Sequence, residues 1–420
     1  MIFDLDHWAE IYESLRRNKL RTALTAFGVF WGILMLVLML GSGEGLSNGI
    51  AKRFTGSATN SFFVWTRRTT EPYRGLPPGR TFELNNGDVE ALQEQVPELR
   101  VVAPRLQLGG FRSGVNVTRG NRDGGFSVTG DVPENQEVQA VRILRGRFLN
   151  PLDLEHNRKV TVIGKRVQEV LFEDGEDPVG DSVEIRGVYF KVVGVFESLL
   201  DGGGAEEDDQ RLVVPFTTFQ RAFNRADEVD WLACVSADGV PASVAEEKAK
   251  VVLASRHQIA PTDTRAFGSF NLEEEYVKIQ GLFAGIRLLV WIVGIGTLSA
   301  GVIGVSNILL IIVKERTKEI GLRRAVGATP WQITAQVILE AVVLTASAGY
   351  FGLVLGVGLL AVVSQVLTAA GSPQAFSDPS VDLQSALRAL VILVFSGVLA
   401  GLIPAQRAVR LKPVEALRQE

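Results

Sequence analysis

The sequence has 420 residues, 46% of them hydrophobic with a mean hydropathy of +0.19, yet 21% are charged. That combination excludes an ordinary soluble protein and implies segregation into membrane spans and a water-exposed part. A net charge of −4 leaves no basic field for nucleic acid, the single cysteine Cys234 excludes an intramolecular disulfide or a Cys-rich zinc site, and His7, His156 and His257 lack metal-ligand spacing, so neither metal nor cofactor is expected in the chain.

In residues 1–21, Leu5, Trp8, Ala9, Tyr12 and Leu15 recur at helical spacing. This predicts an amphipathic cytoplasmic lead helix in the headgroup region or, alternatively, the frayed start of the first span. Thr22 to about Ser42 is uncharged, long enough to cross about 30 Å of hydrocarbon, and gives transmembrane helix 1 over 22–45. The long lead and the missing small-residue cleavage site argue against a secretory signal peptide.

Residues 46–281 have the composition of a water-exposed domain with its own core, of mixed α/β pattern. Phe62 to Thr66 reads as a strand, Asp88 to Val96 as a helix and Arg100 to Ala103 as a strand. Farther on, Trp231 to Ser236 reads as a strand and Ser243 to Arg256 as a helix, with Ser243 and Glu246 in capping-box spacing. These two distant βα units are expected to pack together. Between them, Gly125 to Thr129, Lys159 to Ile163, Ser182 to Ile185 and Tyr189 to Val195 are short β-like runs separated by Gly and Asp turns, a β-rich insert over about 120–210. Asp201 to Gln210, glycine-rich and acidic, reads as a mobile loop. No nucleophile elbow or catalytic triad is visible; His156 and His257 read as surface residues without partners, and Cys234 as a small buried hydrophobe.

Transmembrane helix 2 is placed at 282–313, uncharged from Leu288 to Val313. Next comes a charged elbow at 314–329, KERTKEIGLRRAVGATPWQ in its wider context, with acids and bases alternating around Ile320, Leu322, Ala325 and Val326. A helix should end around Gly327 and another start at Thr329, an N-cap followed by Pro330 at the first helical position and by Gln332 to complete a capping box. A solvated basic loop is the plainer alternative. Transmembrane helix 3 occupies 330–371, a short external loop 372–388, transmembrane helix 4 389–406 and a cytoplasmic tail 407–420.

Basic residues decide the orientation. They precede span one (Arg16, Arg17, Lys19, Arg21), fill the elbow (Lys314, Arg316, Lys318, Arg323, Arg324) and follow span four (Arg407, Arg410, Lys412, Arg418), whereas Ser372 to Asp382 holds none. Both termini are therefore expected in the cytoplasm and 46–281 outside. Small residues recur four apart at Gly28 and Gly32, at Gly296, Ala300 and Gly304, at Gly352 and Gly356, and at Gly397 and Gly401. Such spacing predicts tight packing within the bundle and, secondarily, a dimer seam. No ionisable group lies at mid-depth of any span, which argues against a proton- or ion-coupled carrier; Glu340 and Arg287 near span ends read as interface residues.

The elbow resembles the signature of the MacB/FtsX family of ABC-transporter permeases, close to E-R-T-x-E-I-G-[LI]-R-x-A-x-G-A. Glu315, Arg316, Thr317, Glu319, Ile320, Gly321, Leu322, Arg323, Ala325, Gly327 and Ala328 stand at those places. The stretch Val162 to Ser198, with Arg145-Gly146-Arg147-Phe148 before it and Val214-Pro215-Phe216 after it, is similar to the family's external-domain core. The lead LRRNKLRTALTAFGVFWGI and the tail IPAQRAVRLKPVEALR match as well, so the likeness covers nearly the whole chain in four blocks.

The resemblance implies a four-helix membrane protein of the bacterial cytoplasmic (inner) membrane. Its large α/β extracytoplasmic domain, a porter-like part plus a β-rich insert, would lie between helices 1 and 2. It implies a homodimer, or a pair with a related permease, working with a cytoplasmic ABC ATPase dimer that holds ATP and Mg. The coupling elbow (Glu315, Arg316, Glu319, Ile320, Gly321, Leu322, Arg323, Arg324, Ala325, Gly327 and Ala328) would touch that ATPase. A periplasmic adaptor and an outer-membrane channel are further partners it suggests. MacB itself carries an ATPase domain, whereas G-x-x-x-x-G-K-[ST] is missing here, so hydrolysis is expected in a separate subunit. Antibiotics, peptides and lipoproteins are the family's substrate classes. The alternative is an FtsX-like mechanotransmitter that activates an external cell-wall hydrolase, against which the size of the external domain argues.

Overall fold

The computed structural model describes residues 19–52, 56–109, 114–200, 203–369 and 383–410. The chain divides into two compact units, a helical one of Met1–Ile50 with Gly281–Glu420 and an α/β one of Ala51–Gln280. The lead helix expected before Lys19, most of the external loop at 372–388 and the tail from Leu411 onward lie outside the described residues.

The chain opens on helix α1 (Lys19–Lys52). The α/β unit follows with β1 (Ser61–Thr66), α2 (Asn86–Gln95) and β2 (Leu99–Gln107). An insert then runs β3 (Val115–Arg119), β4 (Arg122–Asp131), α3 (Asn135–Val138), β5 (Val141–Gly146), α4 (Pro151–Glu155), β6 (Val160–Gly164) and α5 (Lys165–Leu171). It continues with β7 (Ser182–Ile185), β8 (Val188–Ser198), α6 (Gly203–Asp209), β9 (Arg211–Pro215) and α7 (Phe216–Ala222). The first sheet resumes with β10 (Trp231–Ser236), α8 (Ala242–Arg256) and β11 (Phe267–Asn271). Helices α9 (Leu272–Glu315), α10 (Thr317–Ala325), α11 (Pro330–Ala369) and α12 (Leu383–Arg410) complete the chain.

The two distant βα units do meet. Strands β11-β1-β10-β2 form one antiparallel sheet, with Phe62 opposite Cys234 and Ala233 opposite Ala103. α2 and α8 pack against it through Ala91, Leu92, Ala245, Ala249 and Leu253, all buried. α2 starts at a local signal: Asn85 Oδ1 accepts from the Asp88 N–H at 3.1 Å while Asp88 Oδ2 accepts from the Asn85 N–H at 2.9 Å, a reciprocal capping box.

The box expected at Ser243 and Glu246 does not form. α8 begins one residue earlier behind Pro241, and the Ala242 N–H is taken by the Glu273 carboxylate. Glu246 turns instead to Lys250 Nζ (2.5 Å) and Asn271 Nδ2 (2.9 Å), because a partner across the sheet edge competes with the local cap. His257 is likewise not a partnerless surface residue. Its Nε2 lies 2.7 Å from Asp88 Oδ2, with Arg256 Nε 2.6 Å from the other carboxylate oxygen, and its ring leans on Phe82.

The insert is wider than expected and it closes. Strands β4-β3-β7-β8-β6-β9 follow one another, and β9 pairs in parallel with β4 from Ser127↔Arg211 to Asp131↔Pro215, completing a six-stranded ring. Closure removes exposed edges, and Val117, Phe126, Val183, Ile185, Phe190 and Leu212 fill the core beneath. β5 hangs outside the ring on β8. Where the first sheet hands over to the ring, Arg105 Nε and the fully buried Asp131 carboxylate are 2.5 Å apart. The expected mobile loop at Asp201 to Gln210 is helical from Gly203 to Asp209; Asp209 accepts the Ser198 N–H at 2.7 Å and Asp208 pairs with Arg211 at 3.0 Å, so its acids hold the helix to neighbouring strands.

In the helical unit, four helices among the described residues are long and apolar enough to cross a membrane. The first, second and fourth overrun the boundaries expected for them at both ends, whereas the third, Pro330–Ala369, keeps within its 330–371. α9 is unbroken for 44 residues, about 66 Å at 1.5 Å per residue, more than twice the ~30 Å hydrocarbon core. Its start is not apolar: Glu273, Glu274 and Glu275 open it, which a hydropathy window cannot assign to a span but a helix N-terminus accommodates.

Candidate functional site

The residues singled out at 314–329 form a corner between two long helices, and both sides of that corner are closed by backbone geometry. α10 ends in a Schellman arrangement, the Ala328 N–H donating to the Arg323 carbonyl at 3.0 Å and the Gly327 N–H to the Arg324 carbonyl at 3.2 Å. Gly327 holds φ +110°, which a side chain would resist. Two residues later α11 begins with the expected box: the Thr329 N–H donates to Gln332 Oε1 at 2.8 Å and the Gln332 N–H to Thr329 Oγ1 at 3.4 Å.

The arginines fix the corner to the bundle. Arg316 Nη1 lies 3.2 Å from Glu340 Oε1 on α11, and that carboxylate is buried. Arg323 Nη1 donates to Gln336 Oε1 and its Nη2 to Glu319 Oε1, both at 2.8 Å. Arg324 Nη1 donates to the Val409 carbonyl of α12 at 2.7 Å. Gly321 is buried and Ile320 packs against Val313, Ile333 and Val337. Of the eleven residues named from the motif, Arg316, Ile320, Gly321, Arg323 and Arg324 therefore build the corner from within, and the exposed Glu319 braces Arg323 from outside. Ala328 is half-buried in the turn.

What faces outward is different in character. Glu315, Ala325 and Gly327 are exposed, and so are three large apolar side chains: Leu322 at 56%, Val326 at 83% and Trp331 at 72%. These three side chains give the charged, polar corner a small exposed apolar surface. Val326 and Trp331 were not among the residues named from the motif, nor were Glu340 and Gln336. The sequence signal for the first pair was apolar residues in a charged run; Glu340, read as an interface residue near a span end, is instead buried against Arg316, and Gln336, one turn before it on α11, carried no signal.

The packing glycines divide. A Cβ on Gly352 would lie 2.6 Å from the Phe30 carbonyl oxygen, one on Gly356 2.7 Å from Val37, and one on Gly401 2.9 Å from the Ile338 Cα. Gly28 faces Gly301, Gly32 faces Leu298, and Gly397 sits against Thr345. Gly296 and Gly304 meet nothing within 4 Å, and Ala300 is exposed. The buried face of α9 is instead Val290, Gly294, Leu298, Gly301, Val305 and Leu309, offset from the run chosen by spacing. Every face of a spanning helix is apolar, so spacing alone did not say which one meets a neighbour.

Residues 22–251 match the profile of the MacB-like periplasmic core domain, and residues 291–413 that of the FtsX-like permease C-terminal domain. The chain is 29% identical over 418 residues to the macrolide export ATP-binding/permease protein MacB of Bdellovibrio bacteriovorus, covering 99% of this chain and 62% of that protein. It is 30% identical over 406 residues to the pyoverdine export ATP-binding/permease protein PvdT of Pseudomonas entomophila, covering 96% and 58% respectively. The chain thus spans about three-fifths of the length of these curated relatives. Among solved structures, the periplasmic region of MacB from Actinobacillus actinomycetemcomitans aligns at 19% identity and a TM-score of 0.42, over 54% of this chain and 94% of that one.

Proposed function

The chain belongs to the MacB/FtsX family of ABC-transporter permeases, and from that membership and the corner's geometry we propose that it turns the work of an ABC ATPase into motion of its α/β unit. The ATPase seats on Leu322, Val326 and Trp331. Because Arg316, Arg323 and Arg324 fix this surface to α11 and α12, a push on it moves helices rather than a loop. α9, unbroken from the corner back to Leu272, carries the displacement.

In this reading the α/β unit lies outside the membrane, both termini lie in the cytoplasm, and two such chains act together. The substrate is exported or extracted on the outer side, as the names of the relatives suggest for those proteins. Substrate does not need a path through the bundle: between Leu288 and Val313, and between Ala341 and Ala369, the helices carry no charged residue. The FtsX-like alternative uses the same machinery with an external enzyme as its load.

The rigid corner is the observation that carries the proposal. Cysteine placed at Val326 should cross-link to the ATPase in membranes, and Trp331→Asp should lower coupled ATP hydrolysis while the chain still inserts and folds. Cross-linking from Ile303 instead, or full coupling in Trp331→Asp, would refute it.

A further inference from the structure

The α/β unit contains a cleft of about 400 Å³ that the coupling machinery does not use. Val251, Ala254, Ile259 and Phe267 give it an apolar lining, and Tyr73 and Arg74 line it as well. That lining is open in one part and closed in another: Val251 is 60% exposed, whereas Ala254 is 8%, Ile259 2% and Phe267 6%.

Tyr73 and Arg74 belong to an excursion between β1 and α2, residues 70–79, that buries none of its own side chains. All of its residues are exposed except Tyr73 and Leu76, which are half-buried. It is nevertheless stiff. Tyr73 and Leu76 exchange backbone hydrogen bonds of 3.1 and 2.9 Å around Arg74 (φ +44°) and Gly75 (φ +82°), a two-residue turn with positive φ at both central positions. Pro72, Pro77 and Pro78 fix three more φ angles. A stiff segment that contributes nothing to the core is free to move as one body.

Its root is fastened to the fold. Thr69 is buried, its N–H donates to the Arg80 carbonyl at 3.0 Å, and the Gly79 N–H donates to the Thr69 carbonyl at 2.6 Å. Arg80 Nη2 donates to the carbonyls of His257 and Gln258 at 2.8 and 3.0 Å, which ties the root to the C-terminal end of α8. Gly79 holds φ +84° with open space beside it, the freedom a pivot needs.

Beyond the root, one carboxylate does most of the holding. The Thr70 and Glu71 N–H groups donate to Asp263 Oδ2 at 2.6 and 3.1 Å, and Thr70 Oγ1 donates to Asp263 Oδ1 at 2.7 Å. Thr262 Oγ1 adds a bond to the Glu71 carboxylate. Asp263 is buried and lines the cleft, whereas Thr70 and Glu71 are exposed, so on release their donors exchange a carboxylate for water.

We propose that residues 70–79 are a flap on this cleft, hinged between Thr69 and Arg80 and latched by Asp263, and that the closed part of the lining is reached when the latch opens. Opening breaks three charge-assisted hydrogen bonds to Asp263 and uncovers no core residue of the flap itself, which makes it a local motion distinct from unfolding. The flap is independent of the coupling reading, since its motion needs neither ATP nor a membrane orientation.

The test uses the full chain in detergent and the rate at which N-ethylmaleimide modifies a cysteine placed in the cleft. Cys234, fully buried on β10, records any general unfolding in the same sample. Ala254→Cys should react slowly, about tenfold or more faster once Asp263→Ala is added, and severalfold faster with Thr70→Val, a change at an exposed position that removes only the hydroxyl bond. Val251→Cys, already open to solvent, should react at one rate in all three backgrounds. Ala254→Cys labelling that neither latch variant quickens, that quickens only in step with Cys234, or that is matched by an equal gain at Val251→Cys would overturn the proposal.

Discussion

Arg316, at the N-cap of α10, and Glu340, nearly three turns into α11, meet at 3.2 Å with the carboxylate buried. Neither residue makes sense alone. A buried carboxylate without its partner is costly, and an arginine at a helix N-terminus opposes the helix dipole. Together they set the angle at which the corner leaves the bundle.

Glu340→Ala should therefore loosen the corner. We expect amide exchange across Thr317 to Ala325 to quicken by the equivalent of about 1–3 kcal/mol, with the α/β unit unaffected. Unchanged protection would show that the pair is incidental to the corner.

Gly327→Ala should act on the same segment by another route. Its φ of +110° lies where a Cβ is strained, at a cost of about 1–2 kcal/mol. The Schellman bonds from Gly327 and Ala328 should weaken together, visible as faster exchange at those two amides. Identical exchange in the variant would mean that the turn accommodates a side chain.

Gly352→Ala and Gly304→Ala offer a contrast within the bundle. The first drives a Cβ into the Phe30 carbonyl and should lower thermal stability in detergent by about 1–3 kcal/mol; the second meets open space and should be close to neutral. Equal effects would contradict the packing described for α1, α9 and α11.

The α/β unit should lose stability in acid through Asp88. Burial raises its pKa, but hydrogen bonds from His257, Arg256 and the Asn85 N–H outweigh that and hold it below the ordinary 3.8. A carboxylate depressed in the folded state stabilises above its unfolded pKa, and that contribution fades as pH falls through the lower, folded value. Unfolding followed by Trp65 and Trp231 fluorescence should show a decline below about pH 4 that flattens in Asp88→Asn. A decline of the same size in Asp88→Asn would assign the acid sensitivity elsewhere.

Cys234 should resist labelling. It is fully buried on β10, and burial pushes its thiol up to about 12. A maleimide at neutral pH should modify it only after unfolding, so rapid reaction of the native chain would show that the β1–β10 pairing opens.

Much of this was legible from local chemistry. The four uncharged segments of the long helices, the strand Trp231–Ser236 and the Thr329–Gln332 box are each decided within a few residues or by one long apolar run, and composition and spacing record such things directly. Where an equally good local pattern failed, a distant group had taken one of its members: Ser243 lost Glu246 to Asn271 and Lys250. The acidic run at Gly203–Asp209 is held as a helix because the Ser198 N–H donates to the Asp209 carboxylate and Arg211 balances Asp208.

By itself the sequence determined that the chain segregates into membrane helices and a folded α/β part, because hydrocarbon and water sort residues by composition before any tertiary contact forms. Only the tertiary structure decided which face of α9 is buried, that β9 closes the ring on β4, and that the arginines of the corner point inward to Glu340, Gln336 and Val409. Those outcomes depend on pairings between residues far apart in the chain, and periodicity along one segment carries no information about which partner will arrive.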